Sequence, residues 1–211
     1  DLDDYRYLRN GNFIQARLSG ALLDDHFVQG TVNSLSIWSP WTTKQHQVSF
    51  LLRSALGTTF GLSPPFYRGF LNTGGWLIRG ASSYSVRDKH SISLSEELHY
   101  IYHPTVLDLE QFSELLIGHS GLGLLGGWSF DINLFLDQGS YWRDEWMPRS
   151  IQSSAGLGLN TIAPNGTILG ADFALPLSPV GGGVSVLLRL SAPLSFTFFS
   201  DWINTNGFFW R

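Results

Sequence analysis

The chain has 211 residues, 43% of them hydrophobic and only 14% charged, whereas soluble globular domains usually carry about a quarter charged residues. A net charge of −4 and a pI near 5.8 argue against a nucleic-acid partner, which would want a basic face. No apolar run approaches the ~18–20 residues of a membrane-spanning helix. The best stretch, Leu115 to Trp128, is interrupted by His119, Ser120 and several glycines.

Period two organises what remains, because side chains alternate across a strand. In chain order, Ile14, Ala16, Leu18, Gly20 and Leu22 oppose Gln15, Arg17 and Ser19, and a less regular strand follows near Phe27 to Trp38. Val48, Phe50, Leu52 and Leu56 oppose Ser49, Leu51, Arg53 and Gly57. Ile92, Leu94, Leu98 and Tyr100 oppose Ser91, Ser93, Ser95, Glu97 and His99. Trp128, Phe130, Ile132, Leu134 and Leu136 oppose Ser129, Asp131, Asn133, Phe135, Asp137 and Gly139. Ala155, Leu157 and Leu159 oppose Ser154, Gly156, Gly158 and Asn160. Leu169, Ala171, Phe173 and Leu175 oppose Gly170, Asp172 and Ala174, and Val184 to Leu194 alternates around Ser185, Arg189 and Ser191. These make about eight strands of roughly 9–15 residues, the length of tilted membrane strands. No helix is expected.

Turn signals separate the strands: Asp24-Asp25, Ser39-Pro40, Arg87-Asp88-Lys89, Ala163 to Gly166 and Gly181-Gly182-Gly183. Two connections are long, 58–89 and 103–124, and are read as loops on one side of a barrel whose other side has short turns. With low charge, 23 glycines, 14% aromatics and no cysteine, the pattern fits an all-β antiparallel transmembrane barrel better than a soluble sandwich or lipocalin-like cup. The absent cysteine suits an oxidising compartment but also many cytosolic proteins. One residue breaks the pattern. Glu96 falls on the apolar parity of its strand; a bulge, a seat near the membrane interface, or contact with another chain would each accommodate it.

The segment Pro65-Phe66-Tyr67-Arg68-Gly69, continuing through Asn72-Thr73-Gly74-Gly75-Trp76-Leu77-Ile78-Arg79-Gly80, resembles the Gly-Gly then Arg-Gly-aromatic loop of the BamA, TamA and FhaC superfamily (the bacterial surface antigen family). Ala81 stands where that family usually has an aromatic. Glu97-Leu98-His99 is similar to its Glu-Leu-Arg, Phe135-Leu136-Asp137-Gln138-Gly139 to its Phe-x-Asp-x-Gly, and Ser154 to Leu159 with Asp172 to Leu177 to its last strands. The resemblance covers the C-terminal half of a barrel of about sixteen strands, with no POTRA domain in 1–211. It implies an outer membrane, bacterial or organellar, and protein insertion or translocation without covalent chemistry or a cofactor. It also implies that the Arg-Gly loop, with Arg79 and Gly80, folds toward Glu97 and Asp137. Asp131, Asn133, Asp172, Arg17, Arg53, Arg189 and His99 share the inward parity and are read as a charge network lining the lumen. The charged opening Asp1-Leu2-Asp3-Asp4 is not a signal peptide, which leads us to expect a processed chain or a fragment.

Two other functions are open at this stage. His119-Ser120 with Glu114 nearby invites a small outer-membrane lipid hydrolase, a phospholipase or lipid A deacylase, although adjacent strand residues point to opposite faces. The other is a non-catalytic barrel anchoring a larger complex. His26, His46, His90 and His103 show no metal-ligand spacing. Expected partners are outer-membrane lipid, client polypeptides, and further strands from a second copy, a partner protein or a missing N-terminal half. Eight strands enclose only enough space for side chains, so a loop of some thirty residues cannot also fit inside. Either the loop stays outside and the chain closes on itself, or the loop enters and the chain is half of an assembly; the second is the expected case.

Overall fold

The computed structural model describes residues 10–21, 27–61, 78–80, 89–105, 108–109, 111, 115, 127–142, 151–164, 167–177, 184–191 and 208–210. They form one antiparallel sheet whose spatial order is its sequence order. The strands are β1 (Gly11–Ala21), β2 (Phe27–Thr42), β3 (His46–Gly61), β4 (His90–Tyr102), β5 (Ser129–Trp142), β6 (Gln152–Ile162), β7 (Ile168–Pro176), β8 (Ser185–Ser191) and a three-residue β9 (Phe208–Trp210). Among the described residues the sheet is open: β1 pairs only with β2, at one edge, and β9 only with β8, at the other.

The alternation seen in the sequence becomes two unlike faces. On β4, Ser91, Ser93, Ser95, Glu97, His99 and Ile101 are buried, while Ile92, Glu96 and Tyr100 are exposed. We call the first the inner face, since Arg79 covers it, and the second the outer face. Register carries the division across the sheet, because residues directly opposite share a face. Thus Leu52, Glu96, Leu136, Ala155 and Leu175 run along one outer row. Apolar side chains gather on the inner face only locally, where Ile37, Leu51 and Ile101 pack with Leu35.

Three local expectations change. Ser39-Pro40 is not a turn: β2 continues through it to Thr42, and the register breaks between Trp38 and Trp41. Proline has no N–H to give the ladder, so it sits where a bulge excuses it. The turn follows, closed by Thr43 N–H donating to the His46 carbonyl at 2.7 Å. Second, the two long connections, now 62–89 and 103–128, cannot lie on one side. They flank β4 in an antiparallel sheet and therefore leave it at opposite ends.

Third, the 103–128 connection contains helical residues, including Asp108 and Leu109. Thr105 caps this turn. Its carbonyl accepts from Leu109 N–H at 3.2 Å and its hydroxyl from Asp108 N–H at 3.3 Å, while Thr105 N–H donates to Asp108 Oδ2 at 2.8 Å. This is the reciprocal capping of a Thr-x-x-acid start. The Thr105 hydroxyl, followed by its amide, holds the Asp108 carboxyl below the usual carboxylate range, so the charged cap is lost as pH falls through that lowered value.

Candidate functional site

Arg79 is the centre of the inner face. It is 4% exposed, and its position depends on strand residues that leave room for it. Ile78 is seated over Gly139, where a Cβ would lie 2.7 Å from Ile78 Cδ1. Gly80 turns with φ +78°, which favours glycine, and a Cβ there would approach Ala174 Cβ at 3.0 Å. Between them the Arg79 guanidinium lies 3.6 Å from the centroid of the Phe135 ring, within cation–π range. The Phe135 ring itself occupies the place a side chain on Gly156 would take. A glycine, an aromatic ring and a guanidinium are thus stacked on the sheet in that order.

Polar contacts fix the guanidinium sideways. Nε and Nη2 donate to Oδ2 and Oδ1 of Asp137, both at 2.7 Å, a bidentate fork, and the Arg79 backbone N–H adds a third bond to Oδ2 at 3.0 Å. Nη2 also reaches Glu97 Oε1 at 2.8 Å and Ser95 Oγ at 3.1 Å, and Nη1 lies 3.6 Å from Asp172 Oδ2. The Ser95 hydroxyl donates to Asp137 Oδ1 at 2.7 Å. β4, β5 and β7 are therefore joined through one side chain of the 62–89 connection.

The network extends from there. His99 presents Nε2 to Glu97 Oε2 at 2.8 Å and Nδ1 to both Asp131 oxygens at 3.0 Å. A ring with a carboxylate at each nitrogen is best satisfied with both nitrogens protonated. Asn160 Nδ2 donates to Asp131 at 2.9 Å, and Asn133 Nδ2 lies 3.5 Å from Glu97. Arg189 donates through Nε and Nη2 to Asp172, the Nε bond being 2.7 Å. Glu97, Asp131, Asp137 and Asp172 thus face Arg79, Arg189 and His99, with Arg53 on the same face opposite Ser95. Beside the network an open trough of about 830 Å³ crosses β1–β5 over Gly11, Ile37, Leu51, Glu97 and Phe135.

The expected residues Arg79, Gly80, Glu97 and Asp137 therefore come together, and Asp131, Asn133, Asp172, Arg189 and His99 join them. Arg17 shares their face but stands on β1, opposite Thr31, away from the cluster. His119, Ser120 and Glu114 lie outside the described residues, as do 62–77 and 181–183. Ser95, Phe135 and Gly156 were not anticipated as parts of the site. Their signal was faint: Ser95 precedes Glu97 on its own face, and Phe135 is an aromatic set between Asn133 and Asp137 on a mostly polar parity. Among the described residues no group of three His, Cys, Asp or Glu side chains could hold a metal. Comparison of the chain with protein-family models, curated proteins and solved structures gives no match.

Proposed function

We propose that this chain is a non-enzymatic subunit of an outer-membrane β-barrel, with the Arg-Gly connection seated in the lumen, and that it serves protein insertion or translocation as its resemblance to the BamA, TamA and FhaC superfamily implies. One observation carries the reading: the same strands bury a hydrogen-bonded charge network on one face and expose Ile14, Leu18, Val32, Leu56, Ile132, Leu134, Phe173, Val186 and Leu188 on the other. A soluble sheet covers its apolar face with a second layer. Here the described residues seated on the sheet, Ile78, Arg79 and Gly80, lie on the polar face.

Aromatic side chains support the same reading by where they fall on the outer face. Trp41, His46, Tyr100 and Tyr102 stack at one end of the strands, and His90 stacks on Trp142 at the other. Tyr100 lies ten positions after His90 on β4. At about 3.4 Å per residue and a tilt of about 40°, this spans about 26 Å, close to the apolar band of membrane barrels. The open edges complete the argument. Unpaired backbone groups in lipid cost several kcal/mol each, so β1 must meet a strand from elsewhere: a second copy, a partner protein or an N-terminal half.

The test is reconstitution in phospholipid vesicles, with an unfolded outer-membrane barrel protein added as client. Protease protection of the 211-residue chain and several-fold faster client folding than in empty vesicles are expected, with the acceleration lost in Arg79→Ala. Failure to insert, or client folding no faster than in empty vesicles, overturns the proposal. Fatty-acid release from those vesicles, abolished by His119→Ala and Ser120→Ala, would replace it with the lipid hydrolase.

A further inference from the structure

We propose that the outer face around Glu96 docks a membrane-spanning segment of another protein that presents a lysine or arginine at mid-membrane depth; this rests on the membrane reading above. The register through Glu96 is unbroken, from Leu52 on β3 to Leu136 on β5, so no bulge turns the side chain inward. Nor is it at an interface: it lies six positions from His90 and four from Tyr100, the aromatic residues that bound the apolar band. Glu96 therefore stands exposed in the middle of the apolar face. A bulge and an interfacial seat would each have explained it, and the structure provides neither.

What remains is a contact beyond this chain, and the surroundings indicate its chemistry. No hydrogen bond or ion pair joins Glu96 to another described residue, whereas Glu97 beside it makes both. Ser36 lies in the same outer row beyond Leu52, and the Ser34 and Ser54 hydroxyls, 2.8 Å apart, lie one row further on. Three hydroxyls and a carboxylate thus form a polar island within Val32, Leu52, Leu56, Leu98, Leu134 and Leu136. An unpaired acid at this depth disfavours the membrane, and a cation brought against it in low dielectric reverses the sign. A second copy docked by this face would not supply that cation. Among the described strands every arginine, Arg17, Arg53 and Arg189, is on the inner parity, and none carries lysine.

The experiment places the 211-residue chain in phospholipid vesicles with leucine-rich membrane-spanning helical peptides carrying a central Lys, Leu or Glu, and reads association by energy transfer. The Lys peptide is expected to associate about tenfold more tightly than the Leu peptide, with the preference lost in both Glu96→Leu and Glu96→Gln. Equal association of the Lys and Leu peptides, or a Lys preference that survives Glu96→Leu, overturns the proposal. So does Glu96-dependent association between two labelled copies without peptide, which would make a second copy the occupant. Protease protection measured in the same vesicles separates the two claims. A protected chain that ignores the Lys peptide defeats only the docking inference, whereas an unprotected chain defeats the membrane reading and the inference with it.

Discussion

Glu96 and Glu97 are adjacent on β4, and the two faces of the sheet treat them in opposite ways. Glu97 is 5% exposed and meets Arg79, His99 and Ser95; Glu96 is exposed among leucines with no partner in the described residues. The strand's alternation alone separates them. A charge on the inner face is therefore held in a network drawn from β4 to β8 and a connection, while a charge on the outer face depends on whatever lies beyond the chain. Burial without a partner would be ruinous for Glu97, and exposure to water would cost Glu96 nothing.

The largest break in that contrast should come from Arg79→Ala. It leaves Glu97 and Asp137 buried without their cation, and removing one partner of a buried pair costs about 3–5 kcal/mol. Urea unfolding of the detergent-solubilised protein reads this loss, and Arg79→Lys should recover only part of it because the fork to Asp137 is gone. Gly156→Val should follow. Its side chain competes with the Phe135 ring for one place, and overpacking of this kind costs about 1–3 kcal/mol, with proteolysis near Arg79 as a second readout.

The contrast itself is sharpened by the matched pair Glu97→Gln and Glu96→Gln. The first removes charge from a bonded network and should cost about 1–3 kcal/mol. The second should stay within about 0.5 kcal/mol in detergent, as surface substitutions do. Equal costs would mean that the two faces do not differ as described.

Much of this arrangement could be read in the residue pattern, and the reasons for the gaps are physical. Alternation placed Glu97, Asp137, Asp131, Asp172 and Arg189 on one face because period two needs no knowledge of neighbours. The Arg-Gly signature singled out Arg79. The seat was hidden because it consists of absences: Gly139 and Gly156 look like ordinary strand glycines until Ile78 and Phe135 are laid against them. Phe135 stood among polar residues without a role, since its use is to carry a guanidinium from a connection more than fifty residues earlier. The opposite ends of the two long connections follow from antiparallel order alone, and the helical turn at Thr105 was announced only by a Thr-x-x-Asp in a segment with no apolar period.

The central claim is that a seated Arg79 and an open sheet belong together, so that the strands shown here are completed by others. Cysteine pairs at outer-row positions, Ile14 on β1 with Leu188 on β8 and Ile14 with Trp210 on β9, test it in phospholipid vesicles under mild oxidation, with the Leu52 and Glu96 positions on neighbouring strands as the positive control. The account predicts that the control pair forms its intrachain disulfide and that neither the β1–β8 nor the β1–β9 pair does. An intrachain disulfide from β1 to β8 or β9 formed as readily as the control, with Arg79 still protected, would show that this chain closes on itself and would contradict it.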